Sequence, residues 1–212
     1  MPGTRVPNRT TSTSPEEALF ALDQIWTQVA RYNSSLSPFA DMSSLGILIS
    51  QWAVETDWGQ KMLNYNWINV PKDPEDLHNF TTRASKQNYN GALLTIRDEI
   101  RSYDTLAEGG LDMILWLANH RYPAAWSFVA GGDCEGYLNK LEDLGFFGLR
   151  APHNYKYSVC HIADRIRCEH PTRPDLQLPG DSVEEQERFN RQERDYLLNL
   201  VAMSLLSLSG RT

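Results

Sequence analysis

Glu55 ends an apolar pattern with helical spacing. Leu45, Leu48, Trp52 and Glu55 follow one another at intervals of three and four, which places them on one face of a helix. A carboxyl on that stripe leans toward apolar surroundings, and partial desolvation disfavours its charged form. A glutamic acid that keeps its proton near neutral pH can protonate a leaving oxygen, the general-acid half of glycoside cleavage. The same spacing also fits a solvated helix Glu, or one paired with Lys61. Six Trp and nine Tyr would suit a cleft that stacks on the flat apolar faces of sugars, and equally an aromatic core.

Composition narrows the classes. The 212 residues carry 20 Lys and Arg against 27 Asp and Glu, a net charge of −7, which argues against nucleic-acid binding through a basic surface. No apolar run reaches the roughly 20 residues of a membrane helix, and the start of the chain, MPGTRVPNRTTSTSP, lacks the apolar stretch of a secretory signal. Cys134, Cys160 and Cys168 are an odd number without CxxC spacing. They read as scattered structural thiols. A zinc site with His161 or His170 is the weaker reading, and no metal or cofactor is expected.

The elements that would carry Glu55 are mostly helices. Residues 1–14 are polar and Pro-containing and read as a disordered lead-in. Ser14-Pro15-Glu16-Glu17 is a capped helix start, and the helix runs to about Tyr32. A second helix opens near residues 41–44, carries Glu55 and stops before Gly59. Asn- and Pro-rich loops follow. Residues 93–103 then alternate with period two, a half-buried strand whose partner is 78–85 and whose turn is 86–91. Helices resume at Thr105, Pro123, residues 131–133 and Tyr155, and a Pro-rich linker, 170–181, leads to a C-terminal helix, 182–212. The expected fold is mainly α (α+β), with a β-hairpin subdomain at about 64–104 inserted between the second and third helices of a domain spanning 15–169.

Four motifs in order carry a resemblance. Gln51-Trp52-Ala53-Val54-Glu55-Thr56-Asp57-Trp58-Gly59, followed by Asn64-Tyr65-Asn66-Trp67-Ile68-Asn69-Val70, is similar to an apolar helix with Ala-x-Glu-Ser/Thr-x-Trp-Gly and an Asn-rich turn. Ile100 to Gly110 is similar to Phe-Arg-x-Tyr-x-Ser-x-x-Glu-(Gly/Ala), Arg121-Tyr122-Pro123-Ala124-Ala125 to Arg-Tyr-x-x-Ala, and Leu138 to Phe146 with Tyr155 to the closing Leu-x-x-x-Gly-Tyr and Tyr helix. Together these resemble the lysozyme-like superfamily, nearest the bacterial β-N-acetylglucosaminidases of glycoside hydrolase family 73, over about residues 43–168.

The resemblance implies a peptidoglycan glycosidase with Glu55 as catalytic acid and a glycan strand as partner. It implies that the Asn-rich turn lines the cleft, with Asn66 or Trp67 on the acetamido sugar, Asn69 where the family's Gly commonly sits, and Trp58 beside them. Tyr155 would lie near the glycosidic bond, or would be a helix-packing Tyr. Tyr103 and Trp116 read as structural. The family's Gly and basic residue are missing from Trp67-Ile68-Asn69-Val70, and the strand 80–85 lacks the family's second acid. Asp73, Glu75, Asp76, Asp98 and Glu99 are the nearby carboxylates that would activate water. The alternatives are a single-Glu mechanism, an anhydro-forming lytic transglycosylase, and a non-catalytic glycan-binding or structural module. Without a visible signal, the expected route to the cell wall is cell lysis, a phage particle or a contractile injection machine; residues 182–212 read as a helix that packs back onto its own domain or, as the alternative, as the docking element for such an assembly.

Overall fold

The computed structural model describes residues 3–32, 42–74, 76–89, 92–147 and 152–169. Glu75, the linker 170–181 and the C-terminal segment 182–212 lie outside them. Six α-helices and one two-stranded antiparallel sheet make up the described residues: α1 (Pro15–Tyr32), α2 (Met42–Thr56), β1 (Phe80–Tyr89), β2 (Ala92–Arg101), α3 (Leu106–Leu115), α4 (Pro123–Ala130), α5 (Cys134–Asp143) and α6 (Pro152–Glu169). This is the expected mainly helical order, with the hairpin between the second and third helices.

α2 is the centre of the core. Leu45, Leu48 and Trp52 are fully buried, and so are Ser44, Ser50 and Gln51 on its other faces. A helix buried all round must be enclosed. α1, α4 and α6 pack against it, and α6 approaches so closely at Gly46 that a Cβ there would stand 3.3 Å from the Ala163 carbonyl oxygen.

Capping residues set the other helices. Ser14 Oγ accepts from Glu17 N at 3.2 Å while Glu17 Oε2 accepts from Ser14 N at 2.8 Å, so α1 starts on a reciprocal box. Thr105 and Glu108 form the same device on α3. Asp133 caps α5 through Gly136 N at 2.9 Å. α3 continues into a π-helical turn, Trp116–Arg121, before Pro123 opens α4.

Two features differ from the sequence reading. β1 reaches Tyr89 rather than ending near 85, and the pairing runs from Phe80 with Arg101 to Tyr89 with Ala92. The lead-in, expected to be disordered, is extended and bonded from Thr4 onward. Val6 N donates to Phe80 O at 2.8 Å, Arg9 N to Asn64 Oδ1 at 2.6 Å and Thr11 N to Met62 O at 2.9 Å. The Thr13 carbonyl oxygen would stand 2.2 Å from a Cβ on Gly59, whose φ is +79°, so only glycine fits where this segment crosses the end of α2.

Candidate active site

Glu55 lies half-buried in the last turn of α2. The helix is closed by Thr56, whose Oγ1 donates to Trp52 O at 2.6 Å and accepts from Gly59 N at 2.9 Å. Trp58 N donates to Ala53 O at 2.9 Å, and Asp57 and Trp58 both take φ of 55°. A Trp in the left-handed region is strained, and such strain gathers at functional positions. The residue is 38% exposed.

The Asn-rich turn comes next, and its three asparagines have three different partners. Asn64, at φ 48°, donates through Nδ2 to Pro7 O at 3.0 Å and Ser102 Oγ at 2.8 Å, tying the N-terminal segment to the end of the hairpin. Asn66 is fully buried. Its Nδ2 donates to Val70 O at 3.0 Å and Arg101 O at 2.9 Å, and its Oδ1 accepts from Val70 N at 2.7 Å. Trp67 is also fully buried, with Nε1 donating to Leu106 O at 2.9 Å. Neither side chain reaches the surface. The expected sugar contacts of Asn66 and Trp67 are therefore corrected to internal bonds that fix the turn. Asn69, at φ 56°, points at Glu55 and donates through Nδ2 to Glu55 Oε2 at 3.0 Å.

α5 and α6 close the other side. Tyr137 Oη donates to Gln51 Oε1 at 2.7 Å, both residues being fully buried. The Tyr155 hydroxyl and Gln51 Nε2 are buried without a bond of good geometry, yet the hydroxyl lies close enough to Glu55 and Gln51 for both to act on it. Burial first, and then the negative charge of Glu55, push the Tyr155 hydroxyl well above the ordinary tyrosine range. Burial raises Tyr137 likewise, and Glu55 adds to it. Both phenols therefore stay neutral at any working pH and can serve only as hydrogen-bond groups, not as a base. Gln51 and Tyr137 were missed as site residues. Gln51 stands one helical turn before Glu55 on the same face, a signal present in the sequence.

Of the candidate second carboxylates, Asp76 belongs to a different cluster. Arg101, 6% exposed, bonds Asp76 through Nε and Asp112 through Nη1 at 2.8 and 3.0 Å. Tyr103 Oη donates to Asp112 Oδ2 at 2.5 Å, and His78 Nδ1 lies 2.5 Å from Asp76 Oδ1. Burial pushes the Asp76 carboxyl up, but the His78 hydrogen bond and the Arg101 charge outweigh it and hold the group well below the usual carboxylate range. A carboxylate so tied is a poor base, and this corrects the expectation for Asp76. Asp73 Oδ2 lies 3.4 Å from His120 Nε2 on the π-helical turn, while Asp98 and Glu99 are exposed on β2.

The cysteines correct another expectation. Cys134 on α5 and Cys160 on α6 form a disulfide with Cα atoms 5.7 Å apart, leaving Cys168 free and exposed. His161 stacks on Tyr157 at 5.7 Å. No described helix is long and apolar enough to cross a membrane.

A half-buried glutamate ending the enclosed helix, an Asn-rich turn beside it and a hairpin between the second and third helices define the lysozyme-like fold class. No family model matches the chain. The chain is similar to the peptidoglycan hydrolase FlgJ of Vibrio cholerae, 28% identical over 126 residues that cover 53% of this chain. The match spans only 37% of that relative's length. Among solved structures, the peptidoglycan hydrolase of Sphingomonas sp. A1 shares the fold with a TM-score of 0.51 at 16% identity, covering 77% of this chain and 99% of that one. The catalytic domain of the autolysin Auto from Listeria monocytogenes gives 0.50 at 17%, covering 75% and 88%.

Proposed function

We propose that this chain is a peptidoglycan glycosidase that hydrolyses the amino-sugar strand, with Glu55 as general acid. The observation that carries the reading is the Glu55 carboxyl at the end of α2, bonded by Asn69 at 3.0 Å and faced by the neutral phenol of Tyr155. The names of the curated relative and of both solved structures, each a peptidoglycan hydrolase or an autolysin, support it. Trp58 is the proposed platform for a sugar ring. Asp73, Asp98 and Glu99 are the proposed candidates for activating water. A disulfide suits a protein that works outside a reducing cytosol, in keeping with the cell wall as the place of action. The proposed route there is a phage particle or an injection machine, with residues 182–212 as the docking segment.

The test is release of reducing ends from purified peptidoglycan. The Glu55→Gln variant should lose about 10²–10⁴-fold in rate, with unchanged circular dichroism. Retention of a tenth or more of the activity removes Glu55 from the acid role. If the unaltered protein releases neither reducing ends nor anhydro sugars between about pH 4 and 8, where a carboxyl acid should work, the glycosidase reading falls in favour of a glycan-binding module.

A further inference from the structure

We propose that Asn69 is a positioning residue for the acid: its amide occupies Glu55 Oε2, so that the transferable proton rides on Oε1. The inference rests on the glycosidase reading above and adds a residue to it. It starts from the orientation of the amide. Asn69 Nδ2 lies 3.0 Å from Glu55 Oε2 and 3.4 Å from the Glu55 backbone carbonyl oxygen. A carbonyl oxygen only accepts, so the nitrogen end of the amide, and not the oxygen end, must face this pair. The same group therefore grips both the side chain and the main chain of Glu55 and fixes the carboxyl relative to its own helix.

The backbone explains why an asparagine can do this. At φ 56° the position needs a residue that tolerates the left-handed region, which means Gly, Asn or Asp. Gly would take the Asn69 donor away from Glu55. Asp would oppose one carboxylate with another. Asn alone combines the backbone with an N–H aimed at the acid.

The chemical consequence concerns the moment of proton transfer. As the bond between the sugar carbon and the bridging oxygen breaks, its electron pair goes to that oxygen, which takes the proton from Glu55 Oε1. Glu55 is left as a carboxylate, and water then adds at the sugar carbon and returns a proton to the site. Negative charge thus grows on Glu55 in the transition state. A fixed N–H donor at Oε2 strengthens as that charge appears, which is differential stabilisation of the transition state rather than sugar binding.

The experiment compares the full chain with the Asn69→Gly and Asn69→Asp variants, both compatible with the backbone. Rates on soluble N-acetylated amino-sugar oligomers are followed against pH, and the Glu55 carboxyl carbon is titrated by NMR, assigned with Glu55→Gln. Asn69→Gly should lower kcat about 10- to 100-fold with KM unchanged. Loss of a donor to the carboxylate should also move the alkaline limb of the profile and the NMR midpoint upward, and Asn69→Asp should move both further. An unmoved midpoint overturns the proposal, and so does a raised KM with kcat intact, which would make Asn69 a sugar contact. If the unaltered protein has no activity, a midpoint that shifts in Asn69→Gly upholds the contact while the glycosidase reading fails, so the two failures are told apart.

Discussion

Tyr137 and Gln51 meet inside the protein, the phenol hydroxyl donating to the side-chain carbonyl oxygen at 2.7 Å one helical turn before Glu55. The bond joins α5 to α2 beneath the acid. Replacing Tyr137 by Phe keeps the ring and strands Gln51 Oε1 without a donor in the interior. The variant should lose about 1–3 kcal/mol of stability, read as a lower urea midpoint with unchanged slope. An unchanged midpoint would show that the pair carries no net stability.

The ion cluster at the hairpin root gives a stability profile with two limbs. The His78 hydrogen bond to Asp76 holds the imidazole above its ordinary value, and the Asp112 charge adds to this against burial and Arg101. A raised histidine stabilises the fold fully below its unfolded value of 6.5 and loses that contribution as pH rises through the folded value. Asp76, held low, contributes above 3.8 and loses its contribution as pH falls toward its folded value. Thermal stability should therefore be greatest between these limits, and His78→Asn should flatten the neutral-side limb and also weaken the acid one, since His78 is the leading partner that holds Asp76 low and only the Arg101 charge remains. Arg101→Met, which leaves Asp76 and Asp112 facing each other, should cost about 3–5 kcal/mol by urea titration.

The helices, and the place of Glu55 in the last turn of α2, were legible because their signals are local. Leu45, Leu48, Trp52 and Glu55 share a stripe by spacing alone, and Ser14 with Glu17 and Thr105 with Glu108 announce helix starts within four residues. The extent of β1 was also written in the chain. The residues between the strands read Asn90-Gly91, a pair that favours two-residue hairpin connections and lengthens both strands. What failed was long-range. Asn66 and Trp67 looked like ligand-binding side chains because an Asn-rich turn is polar. Their burial depends on Arg101 and Leu106, more than 30 residues away. The lead-in has the composition of a disordered segment, yet it is held by backbone and side-chain bonds to residues 62–65 and 79–82, distant partners that composition does not record. Cys134 and Cys160 pair only because α5 and α6 pack side by side.

That disulfide should be worth measuring. It closes a loop with a sequence separation of 26 and holds α6, which carries Tyr155 five residues before Cys160. The Cys134→Ser/Cys160→Ser double variant should lose about 3 kcal/mol, and dithiothreitol should lower the melting temperature of the unaltered protein but not of the variant. Equal melting with and without reductant would show that the cross-link is not formed in solution.

The reaction product tests the proposed chemistry beyond Glu55. If water attacks, the new terminus gains one water. If the substrate's own 6-hydroxyl attacks, the product is an anhydro sugar, lighter by one water. We expect hydrolysis, because the order of motifs lies nearer the glucosaminidases than the transglycosylases. Hydrolysis calls for a group that takes a proton from the attacking water. Asp76 is bound to Arg101 and His78, Tyr137 and Tyr155 stay protonated, and Asp73, Asp98 and Glu99 are the described carboxylates proposed for the task. Digests made in ¹⁸O-water should carry the label at the new reducing end. One of Asp73→Asn, Asp98→Asn and Glu99→Gln should lower the rate about 10²–10⁴-fold, while the other two leave it near that of the unaltered protein. An anhydro terminus without label would show that no water attacked, and would move the protein from the hydrolases to the lytic enzymes.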